Sequence, residues 1–166
     1  SDSPPIMHPS SAQDFTFNFS SAAILFTSGS TGPAKGVLYT HGMFDHQTRI
    51  LREHFGILPG EKDLPTFPLF GLFSTGMGVT SVIPDMDSTC PAKVNPENII
   101  RPIQTHGITS SFGSPALWDT VSRYCQKKVI RLASLRRILI AGAPVSGTLL
   151  KRFESILDPD CKVLTP

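Results

Sequence analysis

The chain has 166 residues, enough for one sizeable buried core and the size of a single domain. Its 15 basic and 13 acidic side chains leave a net charge of +2, and 40% of its residues are apolar, so no electrostatic case exists for binding nucleic acid or an acidic membrane surface. No apolar run reaches the about 18 residues that span a bilayer, the start Ser1-Asp2-Ser3-Pro4-Pro5 lacks the charged and apolar regions of a secretory signal, and Cys90, Cys125 and Cys161 show no CxxC spacing; a cytoplasmic protein with reduced thiols is expected.

Residues 1–18 are rich in Ser and Pro and read as a mobile lead-in, leaving 19–166 as the ordered part. Ala22-Ala23-Ile24-Leu25-Phe26 reads as a short buried strand, and Val37 to Tyr39 as its return strand. Thr40 is placed to cap a helix running from Gly42 to about His54, with Met43, Ile50, Leu51 and Phe55 at roughly helical spacing and Pro59-Gly60 closing the unit. A strand follows over 63–67, a buried helix over 70–80 and a strand over 81–83. Asn95-Pro96-Glu97-Asn98 supplies a cap, a proline at the first helical position and an acid in the first turn, opening a helix that Gly107 stops. Strands at 108–112, 135–141 and 161–164 then alternate with a helix over 115–126 and a Ser146-capped helix carrying Leu149, Leu150, Phe153, Ile156 and Leu157. This rhythm predicts an α/β fold, a mainly parallel sheet flanked by helices.

Between the first two strands lies Thr27-Ser28-Gly29-Ser30-Thr31-Gly32-Pro33-Ala34-Lys35-Gly36, a loop suited to phosphate. Glycines allow close backbone approach, amides and hydroxyls supply neutral donors, and Lys35 adds a mobile positive charge. It is not a P-loop, because that motif places Ser or Thr directly after the lysine at the start of a helix, whereas Lys35 is followed by Gly36 and a β-prone run.

The pattern Thr-Ser-Gly-Ser-Thr-Gly-x-x-Lys-Gly-Val resembles the signature of the adenylate-forming superfamily of acyl-CoA synthetases, luciferases and peptide-synthetase adenylation domains. Three further segments follow in the superfamily's order: Tyr39-Thr40-His41-Gly42, Leu64-Pro65-Thr66-Phe67-Pro68-Leu69-Phe70-Gly71, and Ala141-Gly142-Ala143-Pro144. The resemblance implies that this chain is a fragment of the large N-terminal domain of that fold. It assigns Thr27, Ser28, Gly29, Ser30, Thr31, Gly32 and Lys35 to the β- and γ-phosphates of ATP, with Lys35 drawing off pyrophosphate. Gly142, Ala143 and Pro144 would pack beside adenine, and Phe70, Gly71, Phe112 and Gly113 would line an acyl pocket.

Two departures bear on chemistry. The proline of the loop stands one place earlier than usual, which alters stiffness more than phosphate binding. Gly71 occupies a position usually held by His, removing a ring associated with carboxylate positioning and thioester-stage gating, which speaks against CoA chemistry. The wording of 64–73, 82–87 and 112–117 most resembles the β-lactone synthetases of long-chain olefin biosynthesis. The resemblance therefore implies an ATP- and Mg²⁺-dependent, AMP-forming ligase of a fatty or 3-hydroxy fatty acid, followed by β-lactone formation, with CoA thioester formation or a non-catalytic nucleotide or acyl binder as alternatives. The chain stops before the superfamily's Tyr-Gly-x-Thr-Glu motif, whose Glu helps hold Mg²⁺, so no metal ligand is assigned within it and the isolated chain is expected to be inactive.

Other candidates read as plain structure. His41 and His46 stand without a neighbouring ligand pair, and His54 and His106 sit at helix ends where the dipole suffices. Asp85 and Asp87 follow Ile83-Pro84 and suit a turn better than an acid–base pair. Gly113-Ser114-Pro115 is not a nucleophile elbow, and the apolar stripe from Phe67 to Met77 is either tunnel wall or core.

Overall fold

From Lys62 onward, strand and helix alternate as the spacing predicts. A computed structural model of the chain describes residues 19–27 and 35–165. The lead-in at 1–18 and the loop residues 28–34 lie outside the described residues. The chain divides into two units, residues 1–55 and 56–166.

In the first unit, β1 (Ser21–Thr27) pairs antiparallel with β2 (Lys35–Thr40), Thr27 opposite Lys35 at the mouth of the phosphate loop and Phe26 opposite Gly36. A Cβ on Gly36 would lie 3.0 Å from Ile24 Cγ2 and 3.4 Å from Phe26 Cε1, so the bare backbone there lets these side chains fold over it. The amide of Met43 donates to Thr40 Oγ1 at 3.2 Å, giving α1 (His41–Phe55) the cap the sequence offers. Gly56, at φ 60, stops the helix earlier than Pro59-Gly60. The expected burial of the first strand is not found. Ile24 is 61% and Phe26 72% exposed, because a two-stranded hairpin has no second layer of its own to cover them.

The second unit is a five-stranded sheet in the order β4-β3-β5-β6-β7, parallel throughout. Its strands are β3 (Lys62–Pro65), β4 (Thr80–Ser81), β5 (Ser110–Gly113), β6 (Arg137–Ile140) and β7 (Lys162–Leu164). The connections carry α2 (Leu69–Gly76), α3 (Glu97–His106), α4 (Pro115–Lys128) and α5 (Gly147–Ile156). The core gathers Leu64 from β3, Ile99, Ile100 and Ile103 from α3, Leu117, Trp118 and Val121 from α4, Ile138 and Ile140 from β6, and Leu149 and Phe153 from α5. Several helix ends have a visible cause. Asn95 Oδ1 accepts the Glu97 amide, Gly107 stops α3 at φ 62, and Ser114 Oγ and Ser146 Oγ accept the amides of Leu117 and Leu149.

Three elements differ from expectation. The helix placed over 70–80 ends at Gly76, where Gly78 takes φ 78, and its Leu72 is 57% exposed. The strand placed over 81–83 reduces to Thr80 and Ser81, since only those residues pair with β3 and Ile83 turns outward. Leu150, placed on the apolar side of α5, is exposed, so the buried stripe is Leu149, Phe153 and Ile156. Among the described residues no helix is long and apolar enough to cross a membrane.

Candidate nucleotide and acyl site

Of the candidate phosphate loop the structure describes Thr27, Lys35 and Gly36; Thr27 and Lys35 are cross-strand partners at the end of the hairpin, with Lys35 exposed. Ser28, Gly29, Ser30, Thr31 and Gly32 lie outside the described residues. A β-hairpin is the frame that the residue order calls for, in place of the strand-to-helix turn of a P-loop.

In the second unit the remaining candidates collect at the carboxyl ends of the parallel strands. The sequence runs β3 to β4 on one side, then returns to place β5 on the other side of β3, so the strand order reverses between β3 and β5. Open α/β sheets hold ligands in the crevice at such a reversal. Thr66 follows β3 there; its amide and its hydroxyl both donate to Phe112 O, at 3.0 and 2.9 Å. The Phe70 ring lies on the Phe112 ring with centroids 3.9 Å apart and planes 25° from parallel. One strand further on, the Ala141 amide reaches Gly113 O at 3.4 Å, bringing the exit of β6 beside the end of β5. Gly142 then takes φ 99, a left-handed value that glycine holds without strain, and the exposed Gly142-Ala143-Pro144 turn leads to α5. Phe70, Phe112, Gly113 and the 142–144 turn thus share one edge of the sheet.

Gly71 is buried. A Cβ there would meet Ile83 Cδ1 at 3.4 Å and Pro65 Cγ at 3.5 Å, ordinary contact distances to neighbours from β3 and the segment after β4. Of the apolar stripe, Phe73 and Met77 are core, whereas Phe67 and Leu72 face outward.

The opposite, amino ends of the strands carry a polar network that the sequence did not announce. Asp63 is buried and accepts from Ser110 Oγ at 2.6 Å and Ser74 Oγ at 2.7 Å. Burial pushes its carboxyl above the usual range, partly countered by those two hydroxyls and by the Arg137 charge. Arg137 Nη1 pairs with Glu61 Oε2 at 3.2 Å and its Nη2 donates to Gly56 O. These partners lie far apart in the chain, so no local spacing could reveal them. The network ties β3, β5 and β6 together and lies away from the crevice.

Several lesser candidates resolve as structure. Asp87 Oδ1 accepts both the amide and the hydroxyl of Thr89, which holds its carboxyl below the usual range and makes it a turn residue. Ser114 caps α4. Burial pushes the Cys125 and Cys161 thiols up to about 11, so both stay protonated and unreactive. Among the described residues no three His, Cys, Asp or Glu side chains are grouped to hold a metal. Thr66 lies within the 64–71 segment that the resemblance singles out; its hydrogen bonds to Phe112 O are what the tertiary structure adds.

Comparison with known proteins agrees with this arrangement. Residues 12–165 match the family model described as AMP-binding enzyme. The chain is 46% identical over 145 residues to the olefin beta-lactone synthetase of Stenotrophomonas maltophilia, covering 87% of this chain and 26% of that protein. It is 26% identical over 132 residues to a long-chain-fatty-acid–CoA ligase of Thermus thermophilus, covering 78% of this chain and 24% of that one. The O-succinylbenzoate coenzyme A synthetase of Bacillus subtilis, solved in complex with AMP, shares the fold at a TM-score of 0.68 and 24% identity, over 84% of this chain and 28% of that one. The chain spans about a quarter of the length of the curated relatives it matches. With its parallel sheet, its Lys35-bearing hairpin and a family match over nearly its whole length, the chain belongs to the AMP-binding enzyme family.

Proposed function

We propose that this chain is part of an ATP-dependent, AMP-forming ligase that converts a fatty or 3-hydroxy fatty acid to its acyl adenylate and closes the latter to a β-lactone. The observation that carries this reading is the 46% identity to an olefin beta-lactone synthetase across 87% of the chain. In the first step a carboxylate oxygen attacks the α-phosphorus of ATP and pyrophosphate leaves. In the second, the substrate's 3-hydroxyl attacks the activated carbonyl, loses its proton and expels AMP, closing a four-membered ring. Catalysis of this kind is alignment and neutralisation of phosphate charge. Lys35, at the hairpin mouth with Thr27, would attract the departing pyrophosphate; Ser28, Gly29, Ser30, Thr31 and Gly32 would supply the loop's amides and hydroxyls. Gly142, Ala143 and Pro144 would lie beside adenine. The Phe70–Phe112 stack, with Gly71 and Gly113, would line the acyl pocket. Mg²⁺ would neutralise the phosphates when bound. The reading places the enzyme in the cytoplasm, where ATP is available, and expects the 166-residue chain alone not to turn over.

A second reading, CoA thioester formation, is favoured by the 26% identity to a long-chain-fatty-acid–CoA ligase. Gly71, standing where the resemblance expects a histidine, argues against it. The test uses the full-length protein with ATP, Mg²⁺ and a long-chain 2-alkyl-3-hydroxy acid, with and without CoA. A CoA-independent product lighter than the acid by one water, formed with AMP, is expected. A product carrying the mass of CoA would establish the thioester reading, and no AMP with any carboxylate would sink the ligase.

A further inference from the structure

We propose that Thr66 is a positioning residue of the acyl pocket, clamping together the two backbone segments that carry the stacked Phe70 and Phe112 rings; this rests on the ligase reading above. Thr66 is buried and gives two hydrogen bonds to one acceptor, its amide and its hydroxyl donating to Phe112 O at 3.0 and 2.9 Å. A carbonyl oxygen has two lone pairs, and here a single residue fills both. The amide bond carries the β3–β5 ladder one step past its last pair, Pro65 with Phe112, and any residue except proline would make it. The hydroxyl bond depends on the side chain and so calls for its own reason.

That reason lies in how the end of β3 is held. β4 pairs with β3 only as far as Asp63, and the Val82 amide adds a bond to Asp63 O. Pro65 has no N–H to offer a strand on that side. Beyond Asp63 the strand is tied sideways to β5, by Ser111 Oγ donating to Leu64 O at 2.7 Å and by the two bonds from Thr66. Directly after Thr66 the chain turns into α2, so the clamp sits at the entry to the helix that carries Phe70. Phe112 is the acceptor itself, and its half-buried ring lies on that of Phe70 with centroids 3.9 Å apart. Stacking of two rings is no stronger than one hydrogen bond, so the backbones that carry the rings set their register.

Gly113, next to the acceptor, completes the clamp. Its φ is not left-handed, so backbone conformation does not call for glycine there. Space does: a Cβ on Gly113 would stand 2.8 Å from Trp118 Nε1 and 3.1 Å from Thr66 Oγ1. Trp118 is fully buried in the core, so the crowding would fall on the Thr66 hydroxyl and lever it from Phe112 O. Gly113 serves the pocket by leaving room for that hydroxyl.

In the full-length protein, KM for a long-chain 3-hydroxy acid and KM for ATP are to be measured by AMP release. Thr66→Val keeps the shape and loses the donated bond; it is expected to raise KM for the acid about fivefold and to leave KM for ATP within about twofold. Thr66→Ser, which keeps the hydroxyl, should restore the acid KM. In a Phe112→Leu background, where no ring remains to be positioned, Thr66→Val should change the acid KM by less than about twofold. A thermal melt of each variant checks folding; if Thr66→Val does not fold, Thr66→Ala, which cannot crowd Gly113, decides. An unchanged acid KM, a matching rise in KM for ATP, the same rise in the Phe112→Leu background, or loss of folding in both variants makes Thr66 a staple of the fold and overturns the proposal, leaving the ligase reading intact. No AMP release with any carboxylate in the unsubstituted protein overturns the ligase reading and the proposal with it.

Discussion

The hairpin-and-helix unit at 1–55 and the sheet unit at 56–166 solve the burial of apolar side chains in opposite ways. In the second, strands and helices close a core in which Leu64, Ile103, Trp118 and Ile138 are fully buried. In the first, α1 has no buried residue, and Ile24, Phe26, Leu38 and Ile50 stand exposed. Burial of a Leu or Ile side chain stabilises by about 1.5–3 kcal/mol, so hydrophobic stabilisation is concentrated in the sheet unit. The hairpin unit carries Lys35, to which the proposed function gives an electrostatic task. The difference teaches that, in this chain, the residues that hold the structure and those that would meet phosphate belong to separate parts.

Substitution of a core side chain tests that contrast most severely. Leu64→Ala should cost about 2–5 kcal/mol in a urea titration, whereas Phe26→Ala in the hairpin should cost less than about 1 kcal/mol. Equal losses would break the comparison. Next comes Glu61→Gln, which leaves the buried Arg137 charge without its partner and should cost about 3 kcal/mol. The exposed Asp45–Arg49 pair of α1 makes the matched control: Asp45→Asn should cost no more than about 0.5 kcal/mol by the same titration.

Lys35→Ala separates function from stability. In the full-length protein it should reduce ATP-dependent AMP release about a hundredfold, as loss of a group that stabilises developing charge does. The melting temperature of the 166-residue chain should stay within about a degree or two, because Lys35 is exposed. A large drop in stability with Lys35→Ala would instead make the lysine structural.

The smallest effect is a pH slope. Burial raises the Asp63 carboxyl above its ordinary value of 3.8, so the folded state holds its proton more tightly than the unfolded chain. The stability this group adds is fully present below 3.8 and is lost as pH rises through the raised folded value. Asp63→Asn should therefore flatten the fall in stability across that window, measured as the difference between the two proteins' melting temperatures at each pH. An unchanged difference across the acid range would show that the Ser74 and Ser110 hydroxyls fully compensate the burial.

Local order made much of the fold legible. Thr40 and Ser146 act as helix caps, and Gly107 stops α3, because a cap needs only residues within one turn. The parallel sheet followed from alternating strands and helices for the same reason: short strands without hairpin turns leave a crossover as their natural connection. The burial of the first strand was misjudged because an apolar run records a preference for cover and not the presence of it. The end of α2 was misplaced because the left-handed turn at Gly78 sets it.

Of the candidate site, the sequence by itself supplied the proposal that 27–36 holds phosphate and the order of the segments at the strand ends, since glycine, hydroxyl and lysine at short spacing suggest that chemistry without any fold. Only the tertiary structure decided which residues meet across the sheet. It set Phe70 on Phe112, brought Ile83 and Pro65 beside Gly71, paired Glu61 with Arg137, and packed Trp118 Nε1 and Thr66 Oγ1 against Gly113. The physical reason is the register of parallel strands: long crossover connections place side by side residues that are dozens of positions apart, and no local pattern in a sequence encodes that juxtaposition.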